Sequence, residues 1–289
     1  MAAEQSYHYI QRMVKLRDGL PRPGAEIRFV ERGGGGPGVV FTHGAGMDHT
    51  MFEAQADAVE RAGYRTVLWD MRGHGESELH PGAHFSAADA LADLTAVLDE
   101  LGLERPVLVG HSLGGNLSQA FVREHAERVG GLIVVDSTWN AGPLSRIERL
   151  GLRMAAPMLG LIPAAKLPGI MARASAVSPG AVAQTESVFA RMPKHTFLDV
   201  WRATVSLVSP DPAYRTPVPL GLIRGAQDGT GNIAKAMPLW ARAEGVQEHV
   251  IPDAGHIVTL DAPEATTRAL LHVLEQWRFD DPREQRSIG

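Results

Sequence analysis

The segment 107–115 reads Val-Leu-Val-Gly-His-Ser-Leu-Gly-Gly and constrains the fold more than any other part of the chain. Its first three residues are apolar and predict a short strand, and residues 116–125 carry apolar side chains at helical spacing. Between them, residues 110–114 fit Gly-x-Ser-x-Gly, which is typical of a sharp turn from a strand into a helix. Gly110 and Gly114 give clearance in this turn, and Ser112 stands at its tip. The pattern predicts a nucleophilic serine rather than an exposed serine in an ordinary turn.

Five features, in this order along the chain, resemble the α/β-hydrolase family. They are the sequence His-Gly-Ala-Gly at residues 43–46, the loop Asp-Met-Arg-Gly-His-Gly-Glu-Ser at residues 70–77, the serine turn, Asp228 and His256. The resemblance covers nearly the whole chain, from about residue 12 to residue 277. The resemblance implies a doubly wound, mostly parallel sheet and an enzyme that uses serine as its nucleophile.

The alternation of strand and helix patterns predicts an α/β fold. Such alternation gives parallel strands with right-handed crossovers and helices on both faces of the sheet. Two segments near the N-terminus precede the alternating strands and helices. Residues 12–17 and 26–31 alternate apolar and polar side chains, as two half-exposed antiparallel strands do. From residue 139 to 215 the strand patterns stop, and prolines, methionines and helical segments prevail. We therefore expect an α/β-hydrolase core at residues 1–138 and 216–289, interrupted by a helical cap at residues 139–215.

The amino-acid composition indicates which classes of binding partner and which cellular location to expect for the protein. Of its 289 residues, 44% are hydrophobic and 21% are charged, which is typical of a soluble globular protein. The net charge of −5 gives no reason to expect nucleic acid or a membrane as a partner. The chain has no cysteine, and we expect no signal peptide because no basic segment is followed by an apolar run. These features favour a cytoplasmic protein and leave its oligomeric state open.

The resemblance implies that a histidine activates the serine and a carboxylate orients the histidine, in the chain order serine, acid, histidine. Three histidines near the end of the chain are candidates. His249 lies inside a predicted strand, and His272 lies in the middle of the last predicted helix. His256 lies in a turn just past a strand, where a side chain can reach over the edge of the sheet. We predict Ser112 as nucleophile and His256 as base.

Two aspartates are candidates for the orienting acid. Asp228 follows the penultimate predicted strand, where most members of the family carry the acid. Asp136 ends the strand after the serine-bearing helix, a position that some members use. Each also has an ordinary alternative role in a turn, Asp228 as part of an Asp-Gly pair and Asp136 as a cap. We predict Asp228 as the acid and keep Asp136 as its alternative.

Two backbone N–H groups are expected to stabilise the oxyanion of the reaction. The resemblance assigns one to Leu113, directly after the nucleophile, and the other to Ala45 in the sequence His-Gly-Ala-Gly. The loop at residues 70–77 is expected to be structural, with Asp70 and Arg72 bonded to neighbouring loops. The histidines and aspartates nearby lack the spacing of a zinc site, so we expect no metal and no cofactor.

The predicted cap carries apolar side chains that either line a substrate pocket or pack the cap against the rest of the protein. They are Met154, Met158, Leu159, Leu161, Ile162, Ile170 and Met171. We expect both roles, and we predict Met158 and Met171 as substrate-binding residues.

The combined pattern predicts a serine hydrolase that cleaves an apolar carboxylic ester or lactone through an acyl-enzyme. Relatives with an aspartate nucleophile, such as epoxide hydrolases and haloalkane dehalogenases, are disfavoured because Ser112 holds that position. Three alternatives stay open. They are a carbon–carbon bond hydrolase acting on vinylogous diketones, a cofactor-free haloperoxidase or perhydrolase, and, from another class, a ligand receptor with slow turnover.

Overall fold

The computed structural model describes residues 19–278, and most of its strands belong to one sheet. The strands are β1 (Leu20–Arg22), β2 (Ala25–Ile27), β3 (Phe29–Arg32), β4 (Gly38–Thr42), β5 (Arg65–Trp69), β6 (Glu78–Leu79), β7 (Val107–His111), β8 (Gly131–Val135), β9 (Leu220–Gly225) and β10 (Glu248–Ile251). The main sheet has the order β10-β9-β8-β7-β4-β5-β3. Within it β3 is antiparallel to β5, and every other neighbouring pair is parallel.

Helices connect these strands. The α-helices are α1 (Glu53–Arg61), α2 (Ala87–Glu100), α3 (Leu113–Glu124), α4 (Arg146–Gly160), α5 (Leu167–Ser175), α6 (Pro179–Phe189), α7 (Lys194–Leu207), α8 (Ile233–Glu244), α9 (Val258–Asp261) and α10 (Pro263–Arg278). Within residues 19–278, two short 3-10 helices span His49–Phe52 and Ala126–Arg128. None of the helices in the part of the chain that the structure describes combines the length and apolar character of a membrane span.

Both faces of the main sheet are covered, which explains why its strands are continuously apolar. All five residues of β8 are buried. Along β4 the side chains alternate between the two sides, with Val40 in one apolar cluster and Val39 and Phe41 in the other. Helices α2, α3 and α8 cover the first side, while α1 and α10 cover the second. The predicted fold class, a doubly wound and mostly parallel sheet, is confirmed.

The sequence predicted one strand at residues 26–31, but the structure divides this segment between two strands that belong to different sheets. β2 pairs with β1 and β6 in a small antiparallel sheet, while β3 joins the main sheet. The break falls at Arg28, whose N–H donates to Ser77 Oγ (2.8 Å) and whose carbonyl accepts from the Asp70 N–H (3.0 Å). These long-range bonds replace a strand ladder at this position. The strand expected at residues 12–17 lies outside the described residues.

Four helices, α4 to α7, lie between β8 and β9 within the segment where a cap is expected. No residue from 139 to 215 belongs to a strand. Their apolar side chains join both clusters of the sheet domain, for example Val200 of α7 in the first cluster and Phe197 in the second. The segment is therefore packed onto the core, and its exact boundaries stay a prediction.

The loop after β5 is held by buried charges, in agreement with the structural role expected for it. Asp70 accepts hydrogen bonds from the N–H groups of His49 (2.7 Å) and Glu76 (2.9 Å). Arg72 donates from Nε and Nη2 to the two carboxylate oxygens of Asp93 on α2, at 2.6 and 2.7 Å. Both side chains of this pair are buried. The pair ties the loop to the helix layer beneath the sheet.

Substituting one partner of this pair tests its contribution to stability. Arg72→Met leaves the Asp93 charge buried, and such a change costs about 3–5 kcal/mol because the remaining charge is uncompensated. We expect the lower end of this range, since Arg22 also lies 3.2 Å from Asp93. The double variant Arg72→Met/Asp93→Leu is expected to recover most of the loss in chemical unfolding. An equal loss in both variants would contradict this account.

Candidate active site

Ser112 lies in the turn between β7 and α3 with backbone angles φ 51° and ψ −116°. A positive φ at a residue other than glycine is strained, and such residues concentrate at functional sites. The two glycines of the turn make the close packing feasible. A Cβ at Gly110 would lie 2.4 Å from the Gly114 carbonyl oxygen, and a Cβ at Gly114 would lie 2.1 Å from the Thr42 carbonyl oxygen. The turn therefore has the compact geometry that its sequence predicts.

A chain of hydrogen bonds joins Ser112, His256 and Asp228. Nε2 of His256 lies 3.0 Å from Ser112 Oγ, and Nδ1 of the same ring lies 3.0 Å from Asp228 Oδ2. Asp228 follows β9 and His256 follows β10, and these strands are parallel neighbours with Gly225 paired to Ile251. Both side chains thus leave the same edge of the sheet. The structure brings the three predicted residues together in the predicted order.

Asp228 is ionised in this arrangement. Burial raises the pKa of its carboxyl, but the charge and hydrogen bond of His256 and the N–H of Thr230 (2.8 Å to Oδ1) outweigh burial and hold the pKa below its ordinary value. An ionised Asp228 accepts a hydrogen bond from His256 Nδ1–H, which keeps the proton on Nδ1. Nε2 is then left unprotonated and able to accept a proton from the serine hydroxyl.

Asp136, the alternative acid, lies close to both Asp228 and His256, but it is Asp228 that accepts the hydrogen bond of the His256 ring. Its side chain is fully buried, its φ is 42°, and its Oδ1 accepts the N–H of Gly225 at 2.8 Å. Burial and the neighbouring charge of Asp228 raise the pKa of Asp136 well above its ordinary value. Asp136 Oδ2 is buried without a hydrogen-bond donor among the described residues, and the Asp228 carboxyl lies within hydrogen-bonding reach of the Asp136 side chain. A neutral Asp136 that donates to Asp228 satisfies both groups.

His111, the residue before the serine, links the serine turn to the histidine loop. Its Nε2 donates to the backbone carbonyl of His256 at 2.7 Å. Burial, with the adjacent His256 ring as a second cause, lowers the pKa of His111 to about 3. The ring is therefore neutral at ordinary pH and keeps this hydrogen bond. Its role was not predicted, although its place inside the Gly-x-Ser-x-Gly sequence was a signal that it lies close to the site.

The two residues expected to stabilise an oxyanion flank the serine. Leu113 is the first residue of α3, where a backbone N–H has no partner within the helix. Ala45 lies in a turn that the Met47 N–H closes onto the Gly44 carbonyl (3.2 Å), and it lines the same cavity as Ser112. His43, which precedes this turn, donates from Nδ1 to the Gly44 carbonyl at 2.8 Å. Leu113 follows the serine directly and Ala45 lies in the wall of its cavity, and their role as oxyanion donors stays a prediction.

A cavity of about 170 Å³ lies over the serine. Its walls are Ala45, His111, Ser112, Met171, Ala174, Ser175, Phe189, Phe197, Trp201, Gly229, Thr230, His256 and Ile257. A second cavity, of about 220 Å³, shares the wall residues Met171, Phe189 and Phe197 with the first. Over the two cavities together, most wall residues come from the segment between β8 and β9, and most are apolar.

The two methionines predicted to bind substrate have different positions. Met171 forms part of the wall between the two cavities. Met158 is 62% exposed on α4 and contributes to neither cavity, which corrects the expectation that it binds substrate there. The reason is the orientation of α4, which turns the small side chain of Ala156 inward and its methionines outward.

Three aromatic wall residues, Phe189, Phe197 and Trp201, were not predicted. Between Trp139 and Tyr214 they are the only aromatic residues of the chain. Aromatic side chains bury large apolar areas, so their isolation in a methionine-rich segment was a usable signal.

One cluster in the described residues has the spacing of metal ligands. Asp136, Asp228 and His256 offer ligand atoms within 4.8 Å of one another. Both ring nitrogens of His256 already face Asp228 and Ser112. The donor set therefore fits a proton-transfer chain better than a metal site.

The parallel sheet with this serine, histidine and aspartate at its carboxyl edge has the architecture of a hydrolase. Residues 37–263 match the family described as alpha/beta hydrolase fold. The chain belongs to the alpha/beta hydrolase fold family, as the resemblance implied.

Individual relatives differ in the reactions named for them. The mouse sn-1-specific diacylglycerol lipase ABHD11 is 40% identical over 101 residues, which are 35% of this chain and 32% of the lipase. A 2-hydroxy-6-oxononadienedioate/2-hydroxy-6-oxononatrienedioate hydrolase of Burkholderia vietnamiensis is 36% identical over 122 residues, 39% of this chain and 41% of that enzyme. A solved esterase from Thermogutta terrifontis has a TM-score of 0.74 and 27% identity, covering 91% of this chain and 98% of the esterase. The chain spans less than half the length of these two curated relatives.

The neutral state of Asp136 predicts a pH-dependent difference in stability. Its raised pKa means that, above the ordinary carboxyl value of about 3.9, the unfolded chain releases a proton that the folded chain keeps. The contribution of Asp136 to stability is therefore lost as pH rises toward its folded pKa. Asp136→Asn avoids this loss, so the free energy of unfolding of the variant relative to wild type is expected to increase as pH rises above about 4.

Chemical unfolding at several pH values measures this difference. Asp253→Asn is the control, because Asp253 is exposed and also has a positive φ of 55°. A difference for Asp136→Asn that stays constant or shrinks as pH rises would mean that the buried carboxyl is ionised.

Proposed function

We propose that the protein is a serine hydrolase that cleaves an uncharged or weakly polar carboxylic ester or lactone through an acyl-enzyme. The observation that carries the proposal is the pair of 3.0 Å contacts of His256, to Ser112 Oγ on one side and to Asp228 on the other. A serine hydroxyl is a poor nucleophile until a base takes its proton, and this arrangement provides the base. A cytoplasmic location stays a prediction.

In the first half of the reaction, Ser112 Oγ attacks the substrate carbonyl carbon while its proton moves to His256 Nε2. The carbonyl oxygen becomes an oxyanion, which the N–H groups of Leu113 and Ala45 stabilise. When the tetrahedral intermediate collapses, the bond to the leaving oxygen breaks, and His256 returns its proton to that oxygen. An alcohol leaves, or stays attached as the far end of an opened lactone, and the acyl group remains on Ser112.

In the second half, water replaces the alcohol. His256 takes a proton from water, the hydroxide oxygen attacks the acyl carbon, and the same N–H groups stabilise the second oxyanion. The bond to Ser112 Oγ then breaks, and the proton on His256 returns to the serine. A carboxylic acid leaves and the enzyme is restored. Asp228 stays ionised throughout and stabilises the positive charge that His256 carries in both halves.

The largely apolar walls of the two cavities support an uncharged substrate. Met171, Phe189 and Phe197 separate a small cavity at Ser112 from a second apolar one. We infer that the acyl chain lies in the first cavity and reaches the second when Met171 changes rotamer, since methionine side chains adapt readily. The likeness to a solved esterase supports the same class of substrate.

A carbon–carbon bond hydrolase is the second candidate, because one relative bears the name of a 2-hydroxy-6-oxononadienedioate hydrolase. The same three residues serve that reaction. Activity on a chromophoric vinylogous diketone, without activity on simple esters, favours this candidate. Steady turnover of p-nitrophenyl esters favours the esterase and also contradicts a receptor with slow turnover.

Ser112→Ala tests the nucleophile. Loss of a member of such a triad lowers turnover by about 10⁴-fold or more, while the fold stays intact. We expect ester hydrolysis near the background rate, a circular dichroism spectrum like that of wild type, and no labelling by a serine-directed phosphonate. Near wild-type turnover, or labelling of the variant, would overturn the assignment of Ser112.

Asp228→Asn and Asp136→Asn compare the two acids. Asn at position 228 holds His256 in the wrong tautomer, so turnover is expected to fall by about 10⁴-fold. Asn at position 136 replaces a neutral acid with a neutral amide, and turnover is expected to fall by less than about tenfold. A severe defect at position 136 beside a mild one at position 228 would reverse the assignment.

Met171→Ala and Met158→Ala test the role of the cavity wall. Met171→Ala joins the two cavities, so each added methylene of the acyl chain gains about 0.8 kcal/mol, or roughly fourfold in kcat/KM. We expect the preferred chain length to increase, mainly through KM, in assays with esters of increasing length. Met158→Ala is the matched control and is expected to leave the preference unchanged. Equal losses at every chain length for Met171→Ala would make Met171 a packing residue only.

A further inference from the structure

Helix α4 exposes a continuous apolar stripe. Large apolar side chains at intervals of three or four residues project from it and from the residue that follows it: Ile147, Leu150, Met154, Met158 and Leu161. Ile147 is 83% exposed and Leu161 is 85% exposed. At 3.6 residues per turn, the five side chains fall within a sector of roughly 80° around the helix axis. The opposite side of α4 packs on α7, and Ala156 is its buried residue.

A row of arginines runs along one side of this stripe. Arg146, Arg149 and Arg153 are exposed, and they occupy a neighbouring sector of roughly 60°. None of the three forms an ion pair with a carboxylate among residues 19–278. The one acid of the helix, Glu148, pairs with Lys235 of α8 at 3.0 Å. The exposed face of α4 is thus apolar and positively charged, in a chain whose net charge is −5.

We propose that this face of α4, the apolar stripe with its arginine row, docks the protein on an anionic lipid surface. A helix that carries a long apolar face beside basic residues lies in the interface of a bilayer, with its apolar side chains among the acyl chains. Arginines at that depth are attracted by anionic headgroups. The expectation that a membrane is not a partner came from the net charge, which averages over the whole chain and conceals this local excess.

A second copy of the chain fits the face less well. Two α4 helices paired antiparallel about a two-fold axis place both arginine rows on the same side of the contact, where like charges repel. A parallel pairing sets each row against the side of α4 that carries Glu148, Gly151 and Ala155, and Glu148 is already paired with Lys235. Neither arrangement supplies the anions that the arginines need. An anionic lipid surface supplies them along the whole helix.

Docking through α4 would place the proposed catalytic site near the lipid surface. α4 packs against α7, which carries Phe197 and Trp201 of the cavity wall. A docked α4 holds the helices around the cavity close to a bilayer, where apolar esters are concentrated. This consequence rests on the proposed function, but the docking itself does not require catalysis.

Vesicle co-sedimentation tests the proposal with the full-length protein. The probes are vesicles of phosphatidylcholine alone and of phosphatidylcholine mixed with phosphatidylglycerol. We expect wild type to bind the mixed vesicles, and binding to weaken with added salt because salt screens the arginines. Ile147→Gln/Leu150→Gln is expected to weaken binding by about tenfold or more. Arg146→Gln/Arg153→Gln is expected to weaken it by about fivefold for each arginine.

Matched variants elsewhere on the surface control for general changes. Val250→Gln replaces an exposed apolar residue of β10, and Arg61→Gln/Arg242→Gln removes two exposed arginines from α1 and α8. Both controls are expected to bind as wild type does. Hydrolysis of a soluble short-chain ester is expected to be equal in all variants, which separates a docking defect from a failure of the proposed catalysis.

Three results would overturn the proposal. The first is an absence of wild-type binding to the mixed vesicles. The second is equal binding by wild type and the α4 variants. The third is a wild-type dimer, seen by light scattering, that Ile147→Gln/Leu150→Gln dissociates while vesicle binding is absent; the face would then be an interface between copies.

Discussion

The parallel hydrogen-bond ladder of the main sheet continues one step past the strand ends, and the candidate site depends on that continuation. The Ser112 N–H donates to the Val135 carbonyl at 3.0 Å, and the Asp136 N–H donates to the Ile223 carbonyl at 3.0 Å. Beyond β9, the Ala226 N–H donates to the Ile251 carbonyl at 2.8 Å. Each of these bonds fixes a residue of the site, or one near it, to the neighbouring strand. The strained φ of Ser112 is tolerated because the surrounding backbone is held in this way.

The pair of aspartates shows how one environment keeps two identical groups in different states. Asp228 has His256 and a backbone N–H as partners, which favour its charge. Asp136 is fully buried and faces a charge of its own sign, which favours its protonated form. Two adjacent carboxylates in a medium of low dielectric cannot both be ionised without a large cost. A neutral Asp136 therefore stabilises the charge on Asp228 and, through it, the orientation of the histidine.

The sequence predicted the central site better than it predicted the helices between β8 and β9. Ser112 and His256 were found because a strand–turn–helix pattern and a turn after a strand constrain where a side chain can point. Met158 was misplaced because helical periodicity distinguishes two faces of α4 without showing which of them contacts the protein. The break at Arg28 escaped detection because it depends on hydrogen bonds to Ser77 and Asp70, more than forty positions away. Local sequence patterns were thus sufficient to predict Ser112 and His256. The break at Arg28 and the orientation of α4 depend on contacts between residues that are distant in the sequence.

The shared wall between the two cavities has a consequence for how the protein can change over generations. Met171 lies on α5 and takes no part in the hydrogen bonds that hold Ser112 and His256. A single mutation at position 171 therefore alters the room available to a substrate while the reaction machinery stays as it is. Substrate range can therefore change through single substitutions at such wall positions, without passing through a variant that has lost the hydrogen-bonded residues of the site.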